Sequence, residues 1–397
     1  MIMEPKNWNV YLFRDILERV EVPVNVESNK EYVQIGIRSH GKGLFYKEPV
    51  LGKALGNKQV FWIQPNCFIL NVVFAWEQAI TKTTENELGM IGSHRFPMYR
   101  PKNDLVDIDY LINYFLTKRG TDILEAASPG GAGRNRTLGQ ERFLKSKITL
   151  PPLPEQQKIA AILSTQDKVI ELKEKLLAQK QQQKKYLMQQ LLTGKKRLPG
   201  FDRKWNYVKA NEIFKSIVDK SHGGKLEVLS STQDKGIVPR SQVDIDIKYD
   251  ENSLSTYKKV CEGDFVISLR SFQGGIEYSN YAGIVSPAYT VLRAIVKIDA
   301  GYYKQFFKSS NYNKRLNVAV YGIRDGKQIS YDDFGQIKIP VPPIEEQREV
   351  AKILSTADHE IDLLQKSIEA EKQKKKALMQ LLLMGKARVE DEQRQDG

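Results

Sequence analysis

The sequence contains few of the residues that bind metals or form disulfides. Its 397 residues include two cysteines, Cys67 and Cys261, and four histidines. The two cysteines lie far apart, and neither belongs to a Cys-x-x-Cys pair. Because a disulfide framework or a zinc site needs several suitably spaced cysteine or histidine residues, we predict neither.

Long apolar runs are missing as well. No stretch approaches the roughly 20 apolar residues that a membrane-spanning helix needs. The first residues, MIMEPKNWNVYLF, lack the basic and apolar regions of a secretion signal. We therefore expect a cytoplasmic protein that does not use a membrane.

Catalytic and cofactor-binding motifs are also absent. The segment GIRDGKQ (322–328) has three residues between its glycines and Gln in place of Ser or Thr, so it is not a phosphate-binding loop. No G-x-G-x-x-G motif opens a helix after a strand. The proline pairs in LPPL and VPPI lack the Asn or Asp and the aromatic residue that an amino-methyltransferase uses on a flipped base. The triplet ELK at Glu171 lies inside a predicted helix, where residues two apart face different directions. We predict a non-catalytic protein that binds no cofactor itself.

Length and positive charge are what the sequence does have. A chain of 397 residues exceeds what one hydrophobic core usually organises, so two globular units are expected. The formal charge is +13, and both halves contribute, with +4 over residues 1–153 and +5 over residues 198–343. This charge favours a polyanionic partner such as nucleic acid.

The chain is a tandem repeat. The stretch PPLPEQQKIAAILST (151–165) returns 191 positions later as PPIEEQREVAKILST (342–356). The two copies align without a gap to Arg197 and Arg388, with about half of the positions identical. The similarity extends backwards, because LGQERFLKSKITLPP (138–152) matches ISYDDFGQIKIPVPP (329–343) at the same offset. The order is therefore globular half, rod, globular half, rod.

Each rod is predicted to be one helix of about 40 residues. Pro-Pro precedes it, glutamate and glutamine residues at 155–156 or 345–347 supply acceptors in its first turn, and Gly194 or Gly385 marks its end. A seven-residue seam repeats in both copies and includes a lysine at the same step, Lys184 or Lys375, which would fix the register of two paired helices. The apolar seam residues are Leu163, Ile170, Leu177 and Leu191 in the first copy and Leu354, Ile361, Ile368 and Leu382 in the second. The other interpretation is two unrelated surface helices, each packed on its own domain.

Short Val, Ile and aromatic runs between turn residues fill both globular halves and predict mixed α+β domains. Loops suited to nucleic acid lie between these runs. IRSHGKGL (37–44) aligns with SSTQDKGI (230–237) on a shared Lys-Gly, while the residues before that anchor differ. A shared phosphate-binding element beside different hydrogen-bonding side chains is what two readers of different base sequences would need. Each loop on its own could equally be a solvated surface turn.

The predicted DNA-binding residues come from these loops and from three others, GGAGRNRT (130–137), YGIRDGKQ (321–328) and LRSFQGG (269–275), with GSHR (92–95) as a rough functional counterpart of the last. Arginine is the usual partner of guanine, and Asn or Gln that of adenine. In the first half the candidates are Arg38, Ser39, His40, Lys42, Arg95, Arg134, Asn135 and Arg136. In the second half they are Thr232, Gln233, Lys235, Arg270, Ser271, Gln273, Arg324 and Lys327.

Taken together, these features resemble the DNA-specificity subunit of Type I restriction-modification systems. The resemblance rests on the two rod openings, on the endings LMQQLLTGKKR and LMQLLLMGKAR, and on GDFVIS with SPAY in the second half. It covers the chain from about residue 8 to residue 390. The first half departs from it by having PNCFILNVVF in place of GDFVIS.

The resemblance implies an α+β fold: two similar mixed α/β target recognition domains, separated by two long antiparallel coiled-coil helices, in a pseudo-twofold tandem repeat. The corresponding segments would be residues 1–150 and 198–341 for the recognition domains, 151–197 and 342–389 for the spacer helices, and 390–397 for a disordered tail. Each domain would read one half of a split, asymmetric double-stranded DNA sequence.

The resemblance also implies partners. These are two methyltransferase (modification) subunits and the restriction (translocase-nuclease) subunits, which would bind S-adenosylmethionine, ATP and Mg²⁺ in place of this chain. The sequence leaves two alternatives open. One is a related module fused or paired with a non-classical modification enzyme, and the other is a coiled-coil scaffold or adaptor whose basic halves bind protein or RNA.

Overall fold

The computed structural model describes residues 7–130, 136–243, 251–269, 275–319 and 329–389. The chain divides into two compact units, residues 1–173 with 367–397 and residues 174–366. Each unit therefore contains one globular lobe and one part of each of two long helices. The first lobe lies within residues 7–150, and the second within residues 198–341.

The first lobe is built on a four-stranded antiparallel sheet in the order β2-β11-β8-β9, with two-stranded pairs around it. Its strands are β1 (Asn9–Leu12), β2 (Leu17–Val20), β3 (Glu31–Tyr32), β4 (Ile35–Ile37), β5 (Leu44–Tyr46), β6 (Val50–Leu51), β7 (Val60–Trp62), β8 (Phe68–Leu70), β9 (Ile80–Lys82), β10 (Ile91–Ser93), β11 (Met98–Pro101) and β12 (Lys147–Leu150). Its helices are α1 (Phe13–Ile16), α2 (Ile108–Phe115), α3 (Lys118–Ala127) and α4 (Gln140–Lys145).

An aromatic cluster forms the centre of the first lobe. Phe13 stacks on Phe143 with ring centroids 4.7 Å apart and on Phe115 at 5.4 Å. Phe68, from the middle of the sheet, packs on Phe115 at 5.5 Å. All four side chains are fully buried, so the cluster joins α1, α2, α4 and the sheet into one core.

The second lobe repeats this arrangement. Its four-stranded sheet has the order β14-β21-β18-β19. Its strands are β13 (Asn206–Lys209), β14 (Phe214–Ile217), β15 (Leu229–Thr232), β16 (Gly236–Pro239), β17 (Lys258–Val260), β18 (Phe265–Ile267), β19 (Glu277–Tyr278), β20 (Gly283–Val285), β21 (Thr290–Ala294) and β22 (Lys338–Val341). The helices that the structure describes in it are α6 (Ala210–Ile213), α7 (Ala300–Lys308), α8 (Ser310–Ala319) and α9 (Tyr331–Gln336).

The two lobes share their topology even where their sequences part. Strand β8, from PNCFILNVVF, and strand β18, from GDFVIS, hold the same place beside β11 and β21. Below the sheet, two short helices follow in each lobe, and the second begins where the hydroxyl of Thr117 or Ser309 accepts a backbone N–H. The departure noted in the sequence is therefore a change of side chains within one fold.

The two rods are single helices of 39 residues, α5 (Leu153–Leu191) and α10 (Ile344–Leu382). Pro154 falls in the first turn of α5, where its missing N–H costs no helical hydrogen bond. Past each C-terminus a glycine takes the left-handed conformation, Gly194 with φ 68° and Gly385 with φ 64°. Glycine reaches this conformation without steric cost, which explains why both rods end where they do.

Within each unit the two long helices run antiparallel. In the first unit Lys375 of α10 binds Asp167 of α5 at 2.6 Å, and Lys173 of α5 binds Glu371 at 2.7 Å. In the second unit Lys180 of α5 binds Glu360 of α10 at 2.8 Å, and Lys184 binds Asp358. The lysines of the predicted polar break are thus each paired with an aspartate of the other helix, and those two aspartates occupy equivalent positions of the repeat.

The predicted apolar seam differs in burial along its length. Two of its residues, Leu177 and Ile361, are half-buried. The six others are buried, namely Leu163, Ile170, Leu191, Leu354, Ile368 and Leu382. Burial is greatest at Leu163, Leu354 and Leu191, each of which belongs to the core of a lobe.

The repeated Glu-Gln at the head of each rod has a role that the sequence alone does not predict. Glu155 and Gln156 do not act as simple helix-start acceptors, because both side chains are buried against other parts of the unit. Arg388 donates to Glu155 through Nε and Nη2, both at 2.8 Å. The Gln156 Oε1 accepts the backbone N–H of Asp107 at 3.0 Å, which ties the rod to the start of α2.

The second unit repeats this clasp. Arg197 donates to Glu346 through Nε and Nη2, both at 2.7 Å, and the indole N–H of Trp205 donates to the same carboxylate at 2.8 Å. Gln347 accepts the backbone N–H of Asp299 at 2.9 Å, at the start of α7. A buried carboxylate needs such partners to avoid a large desolvation cost, and this explains why the Glu-Gln pair occurs at the head of both rods.

None of the helices in the described part of the chain is long and apolar enough to cross a membrane.

Candidate nucleic-acid interface

The predicted Lys-Gly loop of the first lobe is the turn of an antiparallel hairpin. Strands β4 and β5 pair Ile37 with Leu44, and the Arg38 N–H donates to the Gly43 carbonyl at 3.0 Å. The guanidinium of Arg38 donates to the Leu44 carbonyl and lies 5.2 Å from the centre of the Phe45 ring. This stacking holds an exposed arginine in one orientation at the base of the turn.

The tip of this hairpin is held from below by residues 77 and 78. The His40 N–H donates to the Glu77 carbonyl at 2.8 Å, and the Ser39 hydroxyl donates to the Glu77 carboxylate at 2.9 Å. Gly41 has φ 63°, and a Cβ on it would lie 2.6 Å from the Leu116 side chain, so the tip is closely packed. The side chains of His40 and Lys42 remain exposed above it.

Two more of the predicted residues lie against the segment that supports the hairpin. This support segment, residues 71–78, follows β8. Its Val72 N–H donates to the Arg95 carbonyl at 3.0 Å, and its Val72 carbonyl accepts from the Leu138 N–H at 2.8 Å. The guanidinium of Arg136 lies 5.4 Å from the centre of the Trp76 ring. The structure thus brings Ser39, His40, Arg95 and Arg136 against one support segment.

The second lobe presents the corresponding hairpin, β15–β16. The Thr232 hydroxyl donates to the Gly236 carbonyl at 2.9 Å and accepts the Lys235 N–H at 3.1 Å, so Thr232 braces the turn and does not project from it. Gln233 and Lys235 are exposed at the tip. Gly236 has φ 76°, and a Cβ there would lie 2.7 Å from the Tyr278 carbonyl oxygen, so the hairpin packs closely on β19.

The two turns differ in length by one residue. The ungapped sequence alignment matches residues 38–40 with residues 231–233. The hydrogen bonds across the two turns give a different match. Thr232 pairs with Gly236 as Arg38 does with Gly43, because the first turn contains one more residue. The shared Lys-Gly therefore holds the same register position in both hairpins, and the extra residue lies in the tip before it.

A buried carboxyl group lies under the second hairpin. The Glu277 side chain is 3% exposed, and the Lys308 ammonium donates to it and, at 3.1 Å, to the Gln233 carbonyl. Burial raises the pKa of Glu277 to about 7, against the opposing pull of the Lys308 charge.

Seven of the predicted DNA-binding residues lie outside the residues that the structure describes. They are Arg134, Asn135, Arg270, Ser271, Gln273, Arg324 and Lys327.

Several residues of this surface could not be found from sequence alone. Trp76 and Phe45 orient two arginines, and Glu77, Glu277 and Lys308 hold the hairpin tips. The signal for Trp76 was its place in the loop after β8, which corresponds to LRSFQGG after β18. Within the described residues there is no group of three or more His, Cys, Asp or Glu side chains that could bind a metal ion.

Comparison with known proteins places this arrangement in a family. The model of the Type I restriction modification DNA specificity domain matches twice, over residues 27–181 and 202–372. The chain is 26% identical to the Type I restriction enzyme MjaVIII specificity subunit of Methanocaldococcus jannaschii, over 98% of this chain and 94% of that protein.

Solved structures agree in fold. The HsdS subunit from Thermoanaerobacter tengcongensis has a TM-score of 0.57 at 21% identity, covering 97% of this chain and 98% of that one. A chain from a structure of type I R-M complex assembly and conformational transition has a TM-score of 0.61 at 19% identity, covering 97% of this chain and 100% of that one. With two specificity domains matched across most of its length, this chain belongs to the family of type I restriction-modification specificity subunits.

Proposed function

We propose that this subunit reads a bipartite, asymmetric sequence in double-stranded DNA, each lobe contacting one half of the target. The observation that carries this proposal is the hairpin that occurs once in each lobe, with a common Lys-Gly anchor and different tip residues. A common cationic anchor suits the phosphate backbone, which is the same in every sequence, whereas different tip side chains suit different base edges. A tandem repeat in one chain can thus bind DNA as a dimer does, without requiring a palindrome.

We further propose that the subunit is non-catalytic and acts in the cytoplasm as part of a larger enzyme. The two long helices would dock two methyltransferase subunits and the restriction subunits, and those partners would bind S-adenosylmethionine, ATP and Mg²⁺. The polar, solvent-exposed faces of α5 and α10 support this role, because only a narrow stripe of each helix is used within its unit. Pull-down of the native protein should recover methyltransferase subunits; partners that bind without DNA and carry no methyltransferase would contradict the proposal.

The long helices would also set the number of base pairs between the two half-sites. Seven residues inserted into both α5 and α10 would preserve the heptad register while lengthening the pair by about 10 Å. Methylation mapping should then return both half-sites unchanged with about three more base pairs between them, at 3.4 Å per base pair. An unchanged spacing would contradict the ruler role.

The assignment of lobes to half-sites can be tested on the hairpins. Arg38→Ala or His40→Ala should weaken discrimination in one half-site, and Gln233→Ala in the other, by about 1–3 kcal/mol per lost base contact. The measurement is adenine methylation on DNA substrates altered in one half-site at a time. If a variant in one hairpin alters the reading of both half-sites, the two-reader proposal is wrong.

A further inference from the structure

The last residue of α7 reaches the hairpin of the second lobe from beneath. The Lys308 Nζ lies 3.1 Å from the Gln233 carbonyl oxygen at the hairpin tip. Gln233 and Lys308 are 75 residues apart in sequence, so this contact is a product of the tertiary fold. Gln233 itself is exposed at the tip of the turn.

The ammonium group is itself held by Glu277. The two side chains are 28% and 3% exposed, so the ion pair is largely shielded from water. Among the residues that the structure describes, Glu277 Oε2 has no hydrogen-bond partner. A buried ion pair contributes little net stability compared with apolar packing, but it fixes the relative positions of its two side chains. This property favours a positioning role for the pair of Lys308 and Glu277.

The first lobe has a support at the equivalent position, of different chemistry. The Asp107 carboxylate caps α2 by accepting the backbone N–H of Tyr110, and the Asp299 carboxylate caps α7 by accepting the backbone N–H of Tyr302. Nine residues beyond these caps stand Leu116 and Lys308. Leu116 packs under the first hairpin, where a Cβ on Gly41 would lie 2.6 Å from its side chain. The same point of the fold thus supports both hairpins, by apolar contact in one lobe and by a charged hydrogen bond in the other.

We propose that Lys308 is a positioning residue for sequence discrimination by the second lobe, acting through the Gln233 backbone without touching DNA. This inference rests on the proposed reading of DNA by the hairpins. Loss of the ammonium would free the hairpin tip to move, and the Gln233 side chain would meet a base edge with less constant geometry. We expect nonspecific affinity to be preserved, because the ammonium lies against the Gln233 carbonyl and the Glu277 carboxylate.

The test compares Lys308→Met, which keeps most of the aliphatic stem, with Lys308→Arg, which keeps the charge. In the assembled methyltransferase complex, Lys308→Met should reduce discrimination against single-base changes in the second half-site by about fivefold or more. It should leave the first half-site and the salt dependence of DNA binding unchanged, and Lys308→Arg should restore most of the discrimination. Leu116→Ala is the matched variant and should affect only the first half-site.

Two further measurements separate positioning from a general loss of folding. The double variant Lys308→Met/Glu277→Gln removes the uncompensated carboxylate and should recover thermal stability but not discrimination. In the unmodified protein, second half-site discrimination should change between pH 6 and 8 as Glu277 titrates, facing Lys308 from α7 and Asp234 from the hairpin turn. It should be flat with pH in Glu277→Gln.

The outcomes are distinguishable. If the unmodified complex shows no sequence preference at either half-site, the proposed DNA-reading function fails. If it reads two half-sites and Lys308→Met reads both as well as the unmodified protein does, only the positioning role of Lys308 is overturned. Equal losses at both half-sites would also overturn it.

Discussion

Substitution of Arg197 by methionine should loosen the start of the second long helix selectively. Glu346 is 1% exposed, and its carboxylate accepts two hydrogen bonds from Arg197 and one from Trp205. Removing the guanidinium leaves a buried carboxylate with the Trp205 indole as its donor. Breaking one partner of a buried ion pair costs about 3–5 kcal/mol. This is local free energy, because the clasp joins the first turn of α10 to the segment after α5.

Hydrogen exchange measured by mass spectrometry reports that local free energy directly. A loss of about 3 kcal/mol should speed exchange of a peptide covering residues 342–352 more than 100-fold. The equivalent peptide at residues 151–161 should be unaffected, because its clasp uses Arg388 and Glu155.

Arg388→Met is the mirror control. It should speed exchange at 151–161 alone, and by less, because Arg388 is 38% exposed where Arg197 is 22% exposed. Arg197→Met/Glu346→Gln should recover much of the lost protection. The reasoning is refuted if Arg197→Met leaves exchange at 342–352 within threefold of the unmodified protein, or if both helix starts respond equally.

Three other predictions concern stability and are measured by urea or thermal unfolding. Gly236→Ala should lower the free energy of unfolding by more than about 2 kcal/mol, because the added Cβ is strained in the left-handed conformation and also clashes with the Tyr278 carbonyl. Gly43→Ala should lower it by about 1 kcal/mol, because Gly43 has the same φ of 76° but open space around it. Equal losses in the two variants would contradict the role of the Tyr278 contact. The pKa of Glu277 is about 7 in the folded state against an ordinary value of 4.5, so between these pH values the folded protein binds more protons at this carboxyl than the unfolded protein does. Stability should therefore fall by at most roughly 3 kcal/mol as pH rises through this range, and the slope should vanish in Glu277→Gln. Asp358→Ala should lower the free energy of unfolding by about 1 kcal/mol or more, because it breaks the partly exposed pair with Lys184 and also the hydrogen bond from the Gln305 amide; no change would assign these contacts no role in stability.

The repeat was the strongest signal in the sequence, because it predicted two long helices, their common register and two similar lobes. Periodicity reports local helix geometry well, and Gly194 and Gly385 mark the helix ends in the sequence itself. The sequence predicts a polar break at Lys184 and Lys375. It does not predict that each lysine pairs with an aspartate, because that aspartate lies on the other helix.

The sequence does not predict the tertiary contacts between residues that are far apart in the chain. Glu155 resembles a helix-start acceptor until Arg388, 233 residues away, is seen to bind it. An ungapped alignment sets the two hairpin turns one residue out of register, because it cannot place an insertion at a turn tip. Lys308 carries no local signal at all, since its place under Gln233 follows from the packing of α7 against the hairpin.

The central claim is that each lobe reads its own half of a split DNA target. Adenine methylation should be mapped across a genome in cells that express the complex with the unmodified subunit, with Arg38→Ala or with Gln233→Ala. We predict a single two-part motif for the unmodified protein, with relaxed bases confined to opposite halves in the two variants. One contiguous motif, or relaxation of the same bases by both variants, would contradict the claim.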